Sequence, residues 1–488
     1  MLIDLLGFAG DESSGRLQAW LARADDPKGA VIGFSRPEPV SFPACRPAVP
    51  QSHAFADFNG DGWADLLLTC HGKSGDGRDD FLQLLIASAE ADNHGVTYAE
   101  IQEIALPPGH GPISVADFNA DGSLDIAFAV CDPPVDCSRR NEIHLLFNQQ
   151  RPFCSRPGQK GCKTISQLMQ ADESFGFSGT ASSSVVVDLN KVFGSDRYRV
   201  QVATPQGAPI HLGVGDFDVN GFPDLLVVVR DTVDRTNRVM LLENISLNGN
   251  LRTFAHMTKG TAALQQVKGV TGAAFVNFYQ DGPPDVIINY TKSGSESSAI
   301  EFIQNGFVQD AFFLRTETLN GVCPGRCLSV PQTSAPRPYG ASFPGPTVKF
   351  SFTDFDGSLR VRLGAQLPQS GHNRITQPFS FFGLGRTNNF VELLSVRTPA
   401  RNQPSLASKA GLVPNSDLII NPPHADSPHN FHFELHILPA KYFLWVLMSI
   451  GTAMVVLGAL TAFFKWREVK EDNEERRKAI HSINFDAL

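Results

Sequence analysis

The 488-residue chain carries a modest formal net charge of −9, part of it in three short acidic loops. No basic stripe runs through it, which excludes nucleic acid as a partner. Its eight cysteines lie mostly in close pairs, which points to the oxidising side of a membrane rather than to a reducing compartment.

The first residues, Ile3-Asp4-Leu5-Leu6-Gly7-Phe8, have the form of the end of a motif met in full farther on, with its upstream part missing. Met1-Leu-Ile-Asp-Leu-Leu-Gly-Phe-Ala-Gly lacks a basic start, and Asp4 interrupts its apolar stretch, so it is not a secretory signal. The expectation is a chain truncated at its N-terminus.

The motif itself reads Asp57-Phe-Asn59-Gly-Asp61-Gly-Trp63-Ala-Asp65, then Asp117-Phe-Asn119-Ala-Asp121-Gly-Ser123-Leu-Asp125, then Asp216-Phe-Asp218-Val-Asn220-Gly-Phe222-Pro-Asp224. Oxygen side chains at positions 1, 3, 5 and 9, with glycine at 6 for the sharp turn, suit a hard cation such as Ca²⁺, and position 7 offers a backbone carbonyl. An EF-hand is excluded at the twelfth position, where Leu68, Phe128 or Val227 stands instead of a bidentate Glu. The runs that follow, such as Leu225-Leu-Val-Val-Val229, read as buried strands. The competing reading is three Asp/Asn-Gly turns without metal; clustered like charge in every copy favours a cation.

Asp57 to Asp117 is 60 residues, Asp117 to Asp216 is 99, and Asp216 to Asn277 is 61. The middle interval therefore holds an insertion, expected as a stapled surface loop with disulfides Cys131 to Cys137 and Cys154 to Cys162. Cys45 and Cys70 stand as a further candidate pair, and Cys323 with Cys327 as another close one. Zinc is disfavoured because no interval is Cys-x-x-Cys. A fourth, decayed loop runs from Asn277 to Asp285, where Asn277 and Tyr279 occupy the first ligand positions. A period near 60 with strands in each unit predicts four-stranded sheets around an axis, an all-β propeller over 1–300, rather than a stacked solenoid. Asn244-Ile-Ser246 and Asn289-Tyr-Thr291 are glycosylation sequons, with Asn244 expected as the better acceptor and Asn289 as shielded in a strand.

Residues 301–441 read as a small β-rich, membrane-proximal domain. There Asp354-Phe-Asp356-Gly-Ser imitates the loop opening, but Arg360 and Arg362 follow it, so it reads as a turn. Tyr442 to Phe464 is 23 residues without a charge, long enough at about 1.5 Å per residue to cross a hydrocarbon core. Lys465, Arg467, Lys470, Arg476, Arg477 and Lys478 follow the span and only Lys441 closely precedes it, so the positive-inside rule places the tail, 465–488, in the cytoplasm.

The loops, the Cys323/Cys327 pair, Leu367-Pro-Gln-Ser370, Phe382-Gly-Leu-Gly-Arg386, Val413-Pro-Asn-Ser416, the span and the ending Asn484-Phe-Asp-Ala-Leu488 together resemble the T-cell immunomodulatory protein family, also called Linkin or integrin-alpha FG-GAP repeat-containing proteins. The resemblance implies a type I single-pass glycoprotein of the plasma membrane or endomembranes, with an integrin-alpha-like FG-GAP propeller. Together with the acidic loops it points to a non-catalytic adhesion, interaction or immunomodulatory role. The loops themselves call for structural Ca²⁺, and the propeller scaffold for a protein ligand on its extracellular face. The tail, with six basic and six acidic residues, reads as a solvated helix or a docking site for a cytosolic partner. The competing class is a membrane-tethered hydrolase, for which no Gly-x-Ser-x-Gly elbow or His-Glu-x-x-His is present.

Overall fold

The computed structural model describes the backbone of residues 5–9, 16–20, 22–23 and 33–34, and residues 45–481 apart from 73–79, 90–95, 135, 181, 280–281, 293–296, 308–310, 322–339, 368–369, 388–389, 399–405, 423–430 and 438–442. Two compact units result, Met1–Ile437 and Leu438–Leu488.

Four antiparallel sheets follow one another in the first unit. The first contains His53–Ala56, Asp65–His71, Phe81–Ala89 and Val96–Ala105, and the second Ser114–Ala116, Asp125–Asp132, Arg140–Leu146 and Ser184–Asp188. The third contains Gly213–Gly215, Asp224–Asp231, Asn237–Asn248 and Leu251–His256, and the fourth Val270–Val276, Asp285–Thr291 and Ser298–Ile303. An acidic loop joins the first of these strands to the second in every sheet. The register repeats as well: Ala56 pairs with Asp65, Ala116 with Asp125, Gly215 with Asp224 and Val276 with Asp285.

Apolar runs after the loops form strands covered on both faces, as continuous hydrophobic stretches of this length do. Period-2 alternation then decides which neighbour each side chain meets. Ile126 and Phe128 pack with Phe58, Leu82 and Leu84 of the first sheet, whereas Ala127 and Ala129 join Leu225 and Val227 of the third. Leu226 and Val228 turn the other way, to Phe275 and Ile288 of the fourth. A repeated polar bracket accompanies these contacts. Each ninth-position Asp, which opens its strand, accepts from a backbone N–H on or just past the next strand: Asp65 from Ala87, Asp125 from Asn148, Asp224 from Asn244 and Asp285 from Asn305, all at 2.8–2.9 Å. The three asparagines donate their side-chain amides to the carbonyl of the Phe in the preceding sheet's loop, Phe58, Phe118 and Phe217.

A β-sandwich follows. One sheet orders Ser380–Gly385, Phe312–Thr318, Ser416–Asn421 and His432–Ile437; the other orders Leu359–Ala365, Thr347–Thr353, Val391–Arg397 and Leu406–Leu412. Leu314, Phe350, Phe352, Phe382, Leu394 and Leu418 fill the space between them. Asp354 and Asp356 lie in the turn joining Thr347–Thr353 to Leu359–Ala365, with Asp354 salt-bridged to Arg360. The fourth sheet ends at Ile303 and the sandwich begins at Phe312, so the expected boundary at residue 300 falls inside the last strand of that sheet. A strap from the sandwich, residues 370–377, touches the start of every sheet: Ser370 accepts from His53, His372 from His211, Arg374 donates to Ile113 and Gln377 to Phe275.

The insertion is not a surface loop alone. Cys154 and Cys162 bond within it, but its Lys163 and Asp172 side chains are buried and paired at 3.1 Å, and Asp172 N–H donates to the Asn59 carbonyl. Cys131–Cys137 closes the turn between two strands of the second sheet, and Cys45–Cys70 is bonded; Cys323 and Cys327 lie outside the described residues.

In the second unit one helix, Phe443–His481, runs through both the apolar span and the charged tail. It is long and apolar enough to cross a membrane, and none of its apolar window is covered by protein.

Candidate metal centres

Each acidic loop is first a hydrogen-bonded turn. Asp57 accepts from Gly60 and Gly62, Asp117 from Asp121 and Gly122, and Asp216 from Asn220 and Gly221. Positions 3 and 5 form an amide–carboxylate pair in all three loops: Asn59 donates to Asp61, Asn119 to Asp121 and Asn220 to Asp218. The ninth Asp accepts from the Phe at position 2. Position 4 is left-handed throughout, which Gly60 adopts freely and which strains Ala120 and Val219, at φ 59° and 60°. These bonds draw positions 1, 3 and 5 of each loop together, and the residue at position 7 donates its backbone N–H to the side chain at position 5. Trp63 and Phe222, at position 7, also lie beneath the Arg397 and Arg252 guanidinium groups, while Ser123 is buried.

These carboxylates are buried among like charges. Burial and then Asp57 push Asp61 up to about 6, and burial and then Asp121 push Asp117 up to about 8. Burial raises Asp65, Asp125, Asp216 and Asp224 well above the usual range, with the neighbouring loop carboxylates adding to it. A divalent cation would relieve that repulsion, and the third loop fits one best. Oxygens of buried Asp216, Asp218 and Asp224 lie within 4.8 Å of one another, and among the described residues no other trio of acidic, His or Cys groups converges so closely. In the fourth loop, buried Asn277 has neither amide atom hydrogen-bonded among the described residues, while Asp285 keeps its bonds from Phe278 and Asn305.

The sandwich covers these loops. Lys349, fully buried, places Nζ 3.4 Å from Asp57 Oδ2 and donates to the Gly60 carbonyl at 3.2 Å. Arg362 donates to the Ala120 carbonyl, and Gly385 N–H to the Val219 carbonyl. Burial lowers the Arg362 guanidinium against the pull of Asp117. In the sequence Arg362 reads only as a residue that spoils a loop, and Lys349 gives no signal, because neither belongs to a motif. The asparagine brackets did carry a signal, an Asn 20 or 23 residues after each ninth Asp from the second sheet onward. Asn244 is one of them: buried, it donates to both Phe118 and Pro223, so the expected glycan has no free amide to occupy. Asn289 is partly shielded in its strand.

The family model for the C2 domain of ITFG1 matches residues 338–436, most of the sandwich. The T-cell immunomodulatory protein of Macaca fascicularis is 30% identical over 293 residues, covering 57% of this chain and 91% of the relative. The chain belongs to the T-cell immunomodulatory protein family. A T-cell immunomodulatory protein homolog of Plasmodium yoelii yoelii is 29% identical over 444 residues, and the chain spans 62% of its length. Protein linkin of Caenorhabditis elegans is 26% identical over 477 residues, covering 90% of this chain and 77% of the relative. Family membership thus extends across the four sheets and the sandwich, not the sandwich alone.

Proposed function

We propose that this chain is a single-pass type I membrane protein whose four sheets are FG-GAP-type blades of a calcium-stiffened propeller, and that it works without catalysis as an adhesion or interaction protein. The observation that carries the reading is the repeated bracket. Equivalent sheets linked by the same Asp–Asn–Phe contacts, with an acidic loop at the same register in each, are what radial repetition of one unit produces.

In this reading Asp216, Asp218, Asn220 and Asp224 hold Ca²⁺ through side chains and Phe222 through its carbonyl, and Asp117, Asn119, Asp121, Ser123 and Asp125 offer the corresponding set. The ion supplies charge neutralisation and stiffens the turn. Because the sandwich covers the acidic-loop ends, the ligand face lies at the opposite ends of the sheets, at turns such as 232–236 where Val233 is exposed. The excess of Lys and Arg after the span supports a cytoplasmic tail. The names of the relatives, immunomodulatory protein and linkin, support a role in contact between cells rather than in turnover of a substrate.

Epitope tags at each end test the topology. Antibody should reach the N-terminal tag on intact cells and the C-terminal tag only after permeabilisation; the reverse pattern contradicts the orientation. Cells displaying the chain should adhere to partner cells in calcium and lose adhesion in chelator, and equal adhesion in both would remove the calcium-stiffened adhesion role.

A further inference from the structure

We propose that Lys349 is the resident cation of the first acidic loop, so that this loop is neutralised from within the chain and takes no divalent metal while Lys349 is present. The inference rests on the calcium reading of the third loop and departs from it for the first.

The three loops share a turn but not their surroundings. Lys349 belongs to Thr347–Thr353, a strand whose other residues up to Phe352 are also buried, and its whole side chain is out of solvent. A buried ammonium requires a counter-charge and acceptors. It finds Asp57 Oδ2 at 3.4 Å and the Gly60 carbonyl at 3.2 Å, one being the first-position carboxylate and the other the fourth-position backbone of the same loop. A cation bound by position 1 and a fixed ammonium beside that carboxylate would repel each other at low effective dielectric. A second buried lysine closes the site from the insertion: Lys163 donates to Gln150, whose amide bonds the Phe58 carbonyl, and it pairs with Asp172 at 3.1 Å. Asp172 in turn accepts from Ser174 and donates its N–H to Asn59. Among the described residues no lysine pairs with the third loop's carboxylates, and there Asp216, Asp218 and Asp224 converge.

The first loop also carries its own reporter. Trp63 stands at its seventh position, where the other two loops have Ser123 and Phe222. Tb³⁺ replaces Ca²⁺ at oxygen sites and emits when an adjacent indole is excited, so Trp-sensitised emission reports filling of this loop. The test uses the full chain in detergent, comparing wild type, Lys349→Met, and Lys349→Gln, which keeps a donor for Gly60 should the Met variant fail to fold.

Wild type is expected to bind Tb³⁺ without emission that depends on Trp63, and the charge-removing variants to gain about one further Tb³⁺ per chain together with that emission. Trp63→Phe in the variant background should abolish the emission and keep the added ion. Trp63-dependent emission from wild type would overturn the role of Lys349 and leave the calcium reading standing. Binding at the other loops with no gain in either variant would also overturn it. No Tb³⁺ on any of the proteins would overturn both readings.

Discussion

The side-chain amide of Asn244 spans two sheets: Nδ2 lies 2.9 Å from the Phe118 carbonyl of the second sheet and 2.9 Å from Pro223 in its own. Its backbone N–H meanwhile donates to Asp224 and its Oδ1 accepts from Arg252. One residue therefore ties an acidic loop, its own sheet and the preceding one. Asn244→Ala strands buried carbonyls and is expected to cost about 1–3 kcal/mol, read as a lowered denaturant midpoint. Removal of N-glycans should produce no mobility change attributable to this position; a shift in wild type that is lost in Asn244→Gln would refute the bracket.

The buried Lys163–Asp172 pair predicts a second asymmetry. Although burial pushes Asp172 up, hydrogen bonds from Ser174 and Arg151 and the Lys163 ammonium hold it below the usual carboxylate range. Lys163→Met alone leaves that carboxylate uncompensated and should cost about 3–5 kcal/mol, whereas Lys163→Met with Asp172→Leu should recover much of the loss. Chemical denaturation of the three variants checks both values, and equal losses in the single and double variants would argue against the pair.

Stability in chelator should fall as pH rises from about 5 to about 8. The folded state raises Asp61 to about 6 and Asp117 to about 8, above the ordinary 3.8, so it binds more protons than the unfolded chain and loses stability as pH climbs through those values. Asp117→Asn should flatten the upper part of this slope. Below about pH 4 the sign reverses. There Asp231, held near 2 chiefly by hydrogen bonds from Arg197, loses its folded-state advantage on protonation. Melting temperature against pH in chelator should therefore pass through a maximum between these ranges.

The Cys45–Cys70 bond closes a loop of separation 25 and joins the strand Asp65–His71 to the segment before it. Replacing both by Ala should lower stability by about 3 kcal/mol in the loop-entropy picture. Melting under non-reducing conditions provides the check, with the Cys154/Cys162 double variant as a comparison for a shorter loop, separation 8.

Much of this architecture is legible without coordinates because it is local. The loops announce themselves by spacing, and each following run, from Asp65-Leu-Leu-Leu to Asp285-Val-Ile-Ile, is continuously apolar as a doubly covered strand must be. The helix is legible from 23 uncharged residues. What escaped depends on contacts between residues far apart in sequence. Lys349 meets Asp57 across nearly 300 positions, and an isolated Lys in Thr-Val-Lys-Phe-Ser-Phe looks like the solvent side of an alternating strand. Asn244 was legible as a sequon, a three-residue pattern, while its part in the bracket needed the comparison with Asn148 and Asn305.

The most direct test is a thermal melt of the full chain in detergent, in millimolar Ca²⁺ and in chelator, for wild type and for Asp218→Asn. Asp218 supplies the carboxylate that distinguishes the third loop from the other two, which have Asn there. The account predicts a clear rise in wild-type melting temperature with Ca²⁺, by mass action on the folded state, and a much smaller rise in the variant. An identical melting temperature in calcium and chelator for wild type would contradict it, leaving the acidic loops as hydrogen-bonded turns that the sandwich covers.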